Sequence, residues 1–239
     1  MRRRLKHVAV LIVYWGATSL MRFLLTLLTH WKVRGRERIP MQGPLIVVSN
    51  HVSLADPPGV AAGVARRRIR FMAKIEVFKM PWGIFPTLYD AFPVRRFEAD
   101  MNALMNAERV LRHNQVLGMF PEGTRTKTGK VGKPHPGTAL IALRTGAPVL
   151  PCAIAGTEDI RNLSVIYRRP TVTFSIGEPI QVEQVKRPTD EQIQELTDRI
   201  WAAITAMLPE KYLHTYTGVE ASPVTAASKG GDGPDNPGD

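Results

Sequence analysis

The sequence predicts one α/β domain with a largely parallel mixed sheet flanked by helices, preceded by an N-terminal membrane-associating helical segment. Three observations predict it. Short apolar runs alternate along the chain with segments of helical period. Polar residues able to do chemistry follow directly on two of those runs. A 21-residue apolar stretch, Val8–Leu28, opens the chain between basic flanks.

Size and charge narrow the possibilities. The 239 residues suffice for one sizeable domain and are short for two independent enzyme domains. Apolar residues make up 44%, enough to bury a core, and a mean hydropathy of −0.11 excludes a polytopic membrane protein. The single cysteine, Cys152, excludes an internal disulfide framework and any multi-cysteine metal site. Net charge is +11, unevenly distributed: residues 1–36 carry eight Lys/Arg and no acid, whereas residues 218–239 carry Lys229 against four acids. A basic front joined to an apolar run points to anionic lipid, with nucleic acid as the competing partner on composition alone.

The elements follow in order. Val8–Leu28 is about 31 Å long as a helix at ~1.5 Å per residue. Arg2, Arg3, Arg4 and Lys6 lie before it, which keeps the N-terminus cytoplasmic. No small-x-small cleavage site follows Leu28, so removal as a secretory signal is not expected. Arg22 within the run, and Trp15, Trp31, Lys32, Arg34 and Arg36 around it, favour shallow insertion, as two short helices, over a full span. Leu45–Ser49 (LIVVS), residues 116–120 and residues 148–154 are continuous apolar runs of the kind that fill central strands. Thr171–Ile176 alternates, with Val172, Phe174 and Ile176 on one face. Residues 99–113 place Met101, Leu104 and Leu111 at helical spacing. A last helix over 190–208 starts with a capping box, Thr189 and Gln192, and buries Ile193, Leu196, Ile200, Ile204 and Met207. The parts are thus a membrane-associating segment (1–31), a catalytic-size domain (32–217) and a tail without apolar period that is expected to be disordered (218–239).

The first polar constellation follows LIVVS: Asn50, His51 and, five residues on, Asp56 before Pro57 and Pro58. On a continuous helix His51 and Asp56 would face about 140° apart. Asp56 before two prolines reads as a helix N-cap, however, which leaves a loop free to fold the carboxylate back onto the imidazole. Such a pair fixes the imidazole tautomer and supports the imidazolium formed when Nε2 takes a proton. The plainer alternative is a capping Asp56 and a polar strand-end His51. Ser53 lacks the G-x-S-x-G elbow of a nucleophile. The second constellation, residues 120–125 (FPEGTR), puts Glu122, Gly123, Thr124 and Arg125 after another apolar run. Gly123 allows close backbone approach, and Thr124 and Arg125 can donate to phosphate oxygens. A plain surface turn is the alternative. The G-x-x-x-x-G-K-[ST] pattern of nucleotide triphosphate sites is missing.

Together, in this order and about 70 residues apart, the two segments resemble the glycerolipid acyltransferase family, and within it the 1-acylglycerol-3-phosphate acyltransferases. Asn50, His51 and Asp56 match N-H-x-x-x-x-D, and residues 120–125 match F-P-E-G-T-R in full. Residues 90–96 (DAFPVRR) are similar to a further block, with Asp90 where a glycine is usual, and residues 147–154 (APVLPCAI) are similar to another. Lys74, in FMAKIEVF, lies in a segment that is also similar. The resemblance implies acyl transfer from a thioester, on CoA or acyl carrier protein, to the free hydroxyl of a lysophospholipid, with no cofactor and no metal. It implies that His51 removes the hydroxyl proton and Asp56 orients it. Glu122 is expected to position the glycerol, with Gly123, Thr124 and Arg125 lining the acceptor pocket. Arg96 and Arg125, with Lys74 as a third, are expected to hold the phosphate, while Arg95 reads as a solvated neighbour. Cys152, in an apolar strand, reads as core. The expected location is the cytoplasmic face of the cell membrane, where Arg66, Arg67, Arg68 and Arg70 either meet anionic headgroups or form a solvated helix end. Rival readings are a relative acting on glycerol 3-phosphate, another lysophospholipid or a glycolipid, and a non-enzymatic basic module binding membrane or nucleic acid. No nucleic-acid partner is expected.

Overall fold

The computed structural model describes residues 2–79, 84–95, 100–123, 132–161 and 164–213. The tail expected from residue 218 onward therefore lies outside the described residues. Seven strands form one sheet: β1 (His30–Arg34), β2 (Leu45–Ser49), β3 (Ile69–Lys74), β4 (Phe92–Val94), β5 (Val116–Met119), β6 (Val149–Ala155) and β7 (Thr171–Ile176). Their spatial order is β1-β7-β6-β2-β5-β3-β4. All pairs are parallel except β6 with β7.

Among the described residues seven α-helices accompany the strands: α1 (Arg2–Leu28), α2 (Asp56–Val64), α3 (Ile84–Leu88), α4 (Met101–Arg112), α5 (Gly137–Thr145), α6 (Val165–Arg168) and α7 (Asp190–Thr205). Side-chain alternation along the central strands sorts them into two layers. Leu45 and Val47 of β2 pack with Leu150, Cys152 and Ile154 of β6 against α1 and α2, through Tyr14, Val60, Ala61 and Val64. Ile46 and Val48 face the other way, with Val149 and Ala153, onto α4, α5 and α7. Burial on both faces is why LIVVS is apolar throughout.

This layering locates the functional edge. β2 leads into α2 on one face, while the neighbouring β5 leads into α5 on the opposite face. Adjacent parallel strands whose connections leave on opposite faces open a crevice beyond their carboxyl ends. The residues after β2 and residues 120–123 after β5 meet there, where the His51 N–H donates to Glu122 and its ring stacks on Phe120.

Several local expectations change. α1 is one continuous helix of 27 residues, not two short ones. Tyr14, Thr18 and Leu25 recur at helical spacing and are buried against the domain, and the Tyr14 hydroxyl accepts from the Ile69 N–H at 2.9 Å. Ile12, Val13, Leu20, Phe23 and Leu27 remain exposed on its other side. Met101 is exposed as well, and the buried stripe of α4 is Ala103, Ala107, Val110 and Leu111. α7 keeps its capping box, with Leu196, Ile200 and Ile204 buried.

The arginine cluster is largely structural. Arg67 donates to the carbonyls of Pro40, Gly43 and Asn114, tying three loops together. Arg68 and Arg70 both pair with Asp90. Only Arg66 of the four is exposed, so the cluster does not supply a basic face for headgroups. Asp90 has φ of +48°, the left-handed region that favours glycine. An aspartate tolerates that backbone, and its carboxylate here pairs with two arginines.

Candidate active site

Asn50 ends β2 by pairing like a strand residue. Its side-chain amide donates to the Ile154 carbonyl at 2.9 Å and accepts from the Ile154 N–H at 2.8 Å. This clasp ties the end of β2 to β6 just before the chain turns at His51. The turn returns to α2, whose first residue is Asp56, with Pro57 and Pro58 following. The helix thus begins at Asp56, one residue earlier than an N-cap role requires, and the carboxylate points back into the preceding loop.

That carboxylate is fully buried and saturated with donors. Its Oδ2 accepts from His51 Nδ1 at 2.9 Å and from the backbone N–H groups of Val52 and Ser53 at 2.6 Å each. Its Oδ1 accepts from the Thr157 hydroxyl at 2.5 Å. An ionised carboxylate only accepts, so Nδ1 carries the imidazole proton and Nε2 keeps its lone pair. The His51 side chain is 11% exposed, against 0% for Asp56. A base needs this arrangement, in which the orienting acid is shielded and the imidazole keeps some access.

Phe120 forms the far wall. Its ring stacks on the His51 imidazole with centroids 4.4 Å apart, and Phe71 stacks behind it at 5.9 Å. Phe120 also lines a cavity of about 270 Å³ with Met72, Val94, Met119, Gly123 and Thr138. Its walls come from the ends of β3, β4 and β5 and the start of α5, and they are mainly apolar. Gly123 turns the chain with φ of +66°, and a Cβ there would lie 2.9 Å from the His135 ring. The positive φ favours glycine here, and a side chain would also displace the His135 ring.

Glu122, expected to position the glycerol, is held by two backbone N–H groups. Oε1 accepts from the N–H of His51 at 2.7 Å, and Oε2 from that of Gly132 at 2.8 Å. It couples the two constellations through the backbone, and any substrate hydroxyl must share oxygens that already hold the loop. Burial pushes this carboxyl up to about 7, against the pull of the two N–H donors and with a further push from Asp56. Between pH 4.5 and about 7 the folded protein therefore retains a proton that the unfolded chain has lost. The contribution of Glu122 to stability is expected to fall as pH rises through that window, by about 3 kcal/mol at ~1.36 kcal/mol per pH unit. Glu122→Gln has no such proton to lose. Its urea midpoint is expected to decline less than wild type between pH 5 and 7.5, and parallel declines would remove Glu122 as the cause.

Of the remaining expected residues, only some are described. Lys74 ends β3 on the same edge, and its ammonium pairs with Glu76 at 3.3 Å. Arg95 is exposed and its N–H donates to Asp100. Arg96, Thr124 and Arg125 lie outside the described residues. Cys152 is fully buried in β6, and burial raises its thiol far above the range of a working nucleophile. Two participants escaped the reading of the sequence. Phe120 looked like the end of a strand, and Thr157 follows the apolar run of β6 just as His51 follows β2. That shared position at a strand end is the signal that marks Thr157.

Comparison with known proteins bears on the family and the fold. A family model described as Acyltransferase matches residues 30–155, more than half of the chain. A 1-acyl-sn-glycerol-3-phosphate acyltransferase of Bacillus subtilis is 26% identical over 190 residues, covering 79% of this chain and 93% of the relative. One from Streptococcus pneumoniae is 29% identical over 185 residues, covering 74% and 67%. The crystal structure of the 1-acyl-sn-glycerophosphate acyltransferase PlsC from Thermotoga maritima superposes with a TM-score of 0.63 at 29% identity, covering 84% of this chain and 80% of that one.

Proposed function

The chain belongs to the acyltransferase family, and from that premise we propose that it acylates the sn-2 hydroxyl of 1-acylglycerol 3-phosphate, giving phosphatidic acid. The acyl group comes from a thioester on CoA or acyl carrier protein. The observation that carries this reading is the buried His51–Asp56 contact of 2.9 Å at the carboxyl edge of β2, beside the cavity walled by Phe120.

The chemistry follows from the groups present. The acceptor hydroxyl gives its proton to His51 Nε2 as its oxygen attacks the thioester carbonyl. Asp56 holds the ring in the competent tautomer and offsets the charge of the imidazolium. The tetrahedral intermediate then collapses, the C–S bond breaks, and the departing thiolate recovers the proton from the ring. Thioesters are activated already, so this route needs no acyl-enzyme. Apolar Met72, Val94 and Met119 suit the hydrocarbon part of a substrate. Arg125 and Arg96 hold the phosphate in this reading, since a guanidinium gives two-point contacts to phosphate.

The test is purified protein with labelled acyl-CoA or acyl carrier protein and a panel of acceptors. Lysophosphatidate is expected to be the best of them, ahead of glycerol 3-phosphate, other lysophospholipids and glycolipids. Arg125→Ala is expected to raise KM for lysophosphatidate by about tenfold or more, on the scale of one lost charge-assisted hydrogen bond. KM for monoacylglycerol should hardly change. Equal effects on both acceptors would take the phosphate role from Arg125.

We place the protein at the cytoplasmic face of the cell membrane. Support comes from Arg2, Arg3, Arg4 and Lys6 ahead of α1 and from the apolar outer side of that helix, while its inner side is committed to the domain. Replacing Leu20 and Phe23 with Gln leaves the docked face, with Tyr14 and Leu25, untouched. This double variant is expected to float less with anionic vesicles than wild type while keeping its thermal midpoint. Undiminished flotation would shift the anchor elsewhere.

A further inference from the structure

We infer that Thr157 is a positioning residue for the acyl transfer, acting through Asp56, and that the C-terminal end of the domain holds it in place. The inference rests on the reading of His51 and Asp56 given above, and it concerns residues beyond the 30–155 span matched by the family model.

The Asp56 carboxylate is held asymmetrically. Three N–H donors converge on Oδ2, from His51, Val52 and Ser53, while Oδ1 accepts from the Thr157 hydroxyl. Both residues are fully buried, so bulk water does not take the hydroxyl's place. A carboxylate held at one oxygen alone can rock about its Cβ–Cγ bond, and the His51 contact rocks with it. The hydroxyl on the opposite oxygen fixes the plane and leaves no oxygen of a buried anion without a donor.

Thr157 is itself held. It follows β6 after Gly156, whose φ is +88° and where a Cβ would lie 2.1 Å from the Thr171 carbonyl oxygen, so the turn admits only glycine. The Gly156 N–H donates to the Tyr212 hydroxyl at 2.7 Å, and that hydroxyl donates to Glu158 at 2.5 Å. Lys211 pairs with the same Glu158 oxygen at 2.9 Å. Tyr212, in the one-turn helix Glu210–Tyr212 that follows α7, therefore clamps the residues on both sides of Thr157. An unbroken series of hydrogen bonds and one peptide link runs from the C-terminal end of the described chain to the imidazole.

The experiment measures kcat and both KM values with lysophosphatidate and acyl-CoA, together with thermal midpoints, for wild type, Thr157→Val, Thr157→Ser and Tyr212→Phe. Valine keeps the shape and removes the donor. It is expected to lower kcat about 10- to 100-fold, the scale of a lost hydrogen bond to a charged group. Both KM values should stay within about twofold because Thr157 reaches neither substrate. Serine restores the donor and should recover most of the turnover. Tyr212→Phe leaves Thr157 in the chain but loosens its turn, and a fall in kcat with unchanged KM is expected there too. It carries the test if the valine variant does not fold. Unchanged kcat in either variant, KM rising in step with the loss of kcat, or a serine variant as poor as valine would overturn the inference. Failure of the wild-type protein to acylate lysophosphatidate, or full turnover by His51→Ala, strikes instead at the reading on which it rests.

Discussion

Replacing His51 with Ala is expected to cut kcat for acyl transfer by about 10²- to 10⁴-fold, the usual worth of general-base help, with lysophosphatidate affinity nearly unchanged. The affinity should survive because the expected phosphate contacts, Arg96 and Arg125, belong to other segments of the chain. The fold should survive as well. Asp56 would keep the Val52 and Ser53 N–H groups and the Thr157 hydroxyl, and the backbone N–H of residue 51 would still donate to Glu122. Truncation frees space against Phe120, a loss of packing worth about 1–2 kcal/mol at one partly accessible ring. Turnover assays and equilibrium binding to lysophosphatidate vesicles check this. A variant with wild-type kcat would remove the imidazole from the reaction.

Asp56→Asn is expected to cost nearly as much activity with little change in stability. The amide oxygen can keep the three N–H donors now on Oδ2, while its NH₂ turns to Thr157, whose hydroxyl can rotate to accept. The hydrogen-bond count is thereby preserved. What disappears is the negative charge facing the imidazolium as it forms. A loss of about 10²–10⁴ in kcat is expected, the range of the general-base help that this charge supports. Asp56→Ala differs, because it strands several buried donors at about 1–3 kcal/mol each. Its thermal midpoint should drop well below that of the Asn variant. Equal midpoints for the two would mean that this buried carboxylate does not hold the loop, and undiminished turnover in the Asn variant would mean that its charge does not assist His51.

The central strands were legible in the sequence because burial on both faces demands unbroken apolar runs, as in LIVVS and residues 148–154. β1, β3 and β4 were not. β1 is an edge strand reading HWKVR, β3 carries Arg70 and Lys74, and β4 has only three residues. None offers enough apolar length to stand out. Long-range pairing was equally hidden. Nothing near Arg67 in sequence announces the carbonyls of Pro40, Gly43 and Asn114, and Asp90 is about twenty residues from the arginines it pairs with. Docking of α1 was invisible for the same reason, since Tyr14 is buried among residues distant in sequence and accepts from the Ile69 N–H. His51 and Asp56 could be paired because five residues of loop bring them together locally. Glu122 was singled out, but its work was not: its partners are backbone N–H groups of His51 and Gly132, and backbone groups leave no trace in side-chain identity.

The most direct test of direct, imidazole-assisted transfer is to mix the purified protein with labelled acyl-CoA before any acceptor, quench, and weigh the intact protein by mass spectrometry. Lysophosphatidate is added to a second portion. An imidazole that only relays a proton leaves the protein mass unchanged in the first portion, and labelled phosphatidic acid forms in the second. Stoichiometric label on the protein before acceptor arrives, at His51, Ser53 or Cys152, would contradict the account.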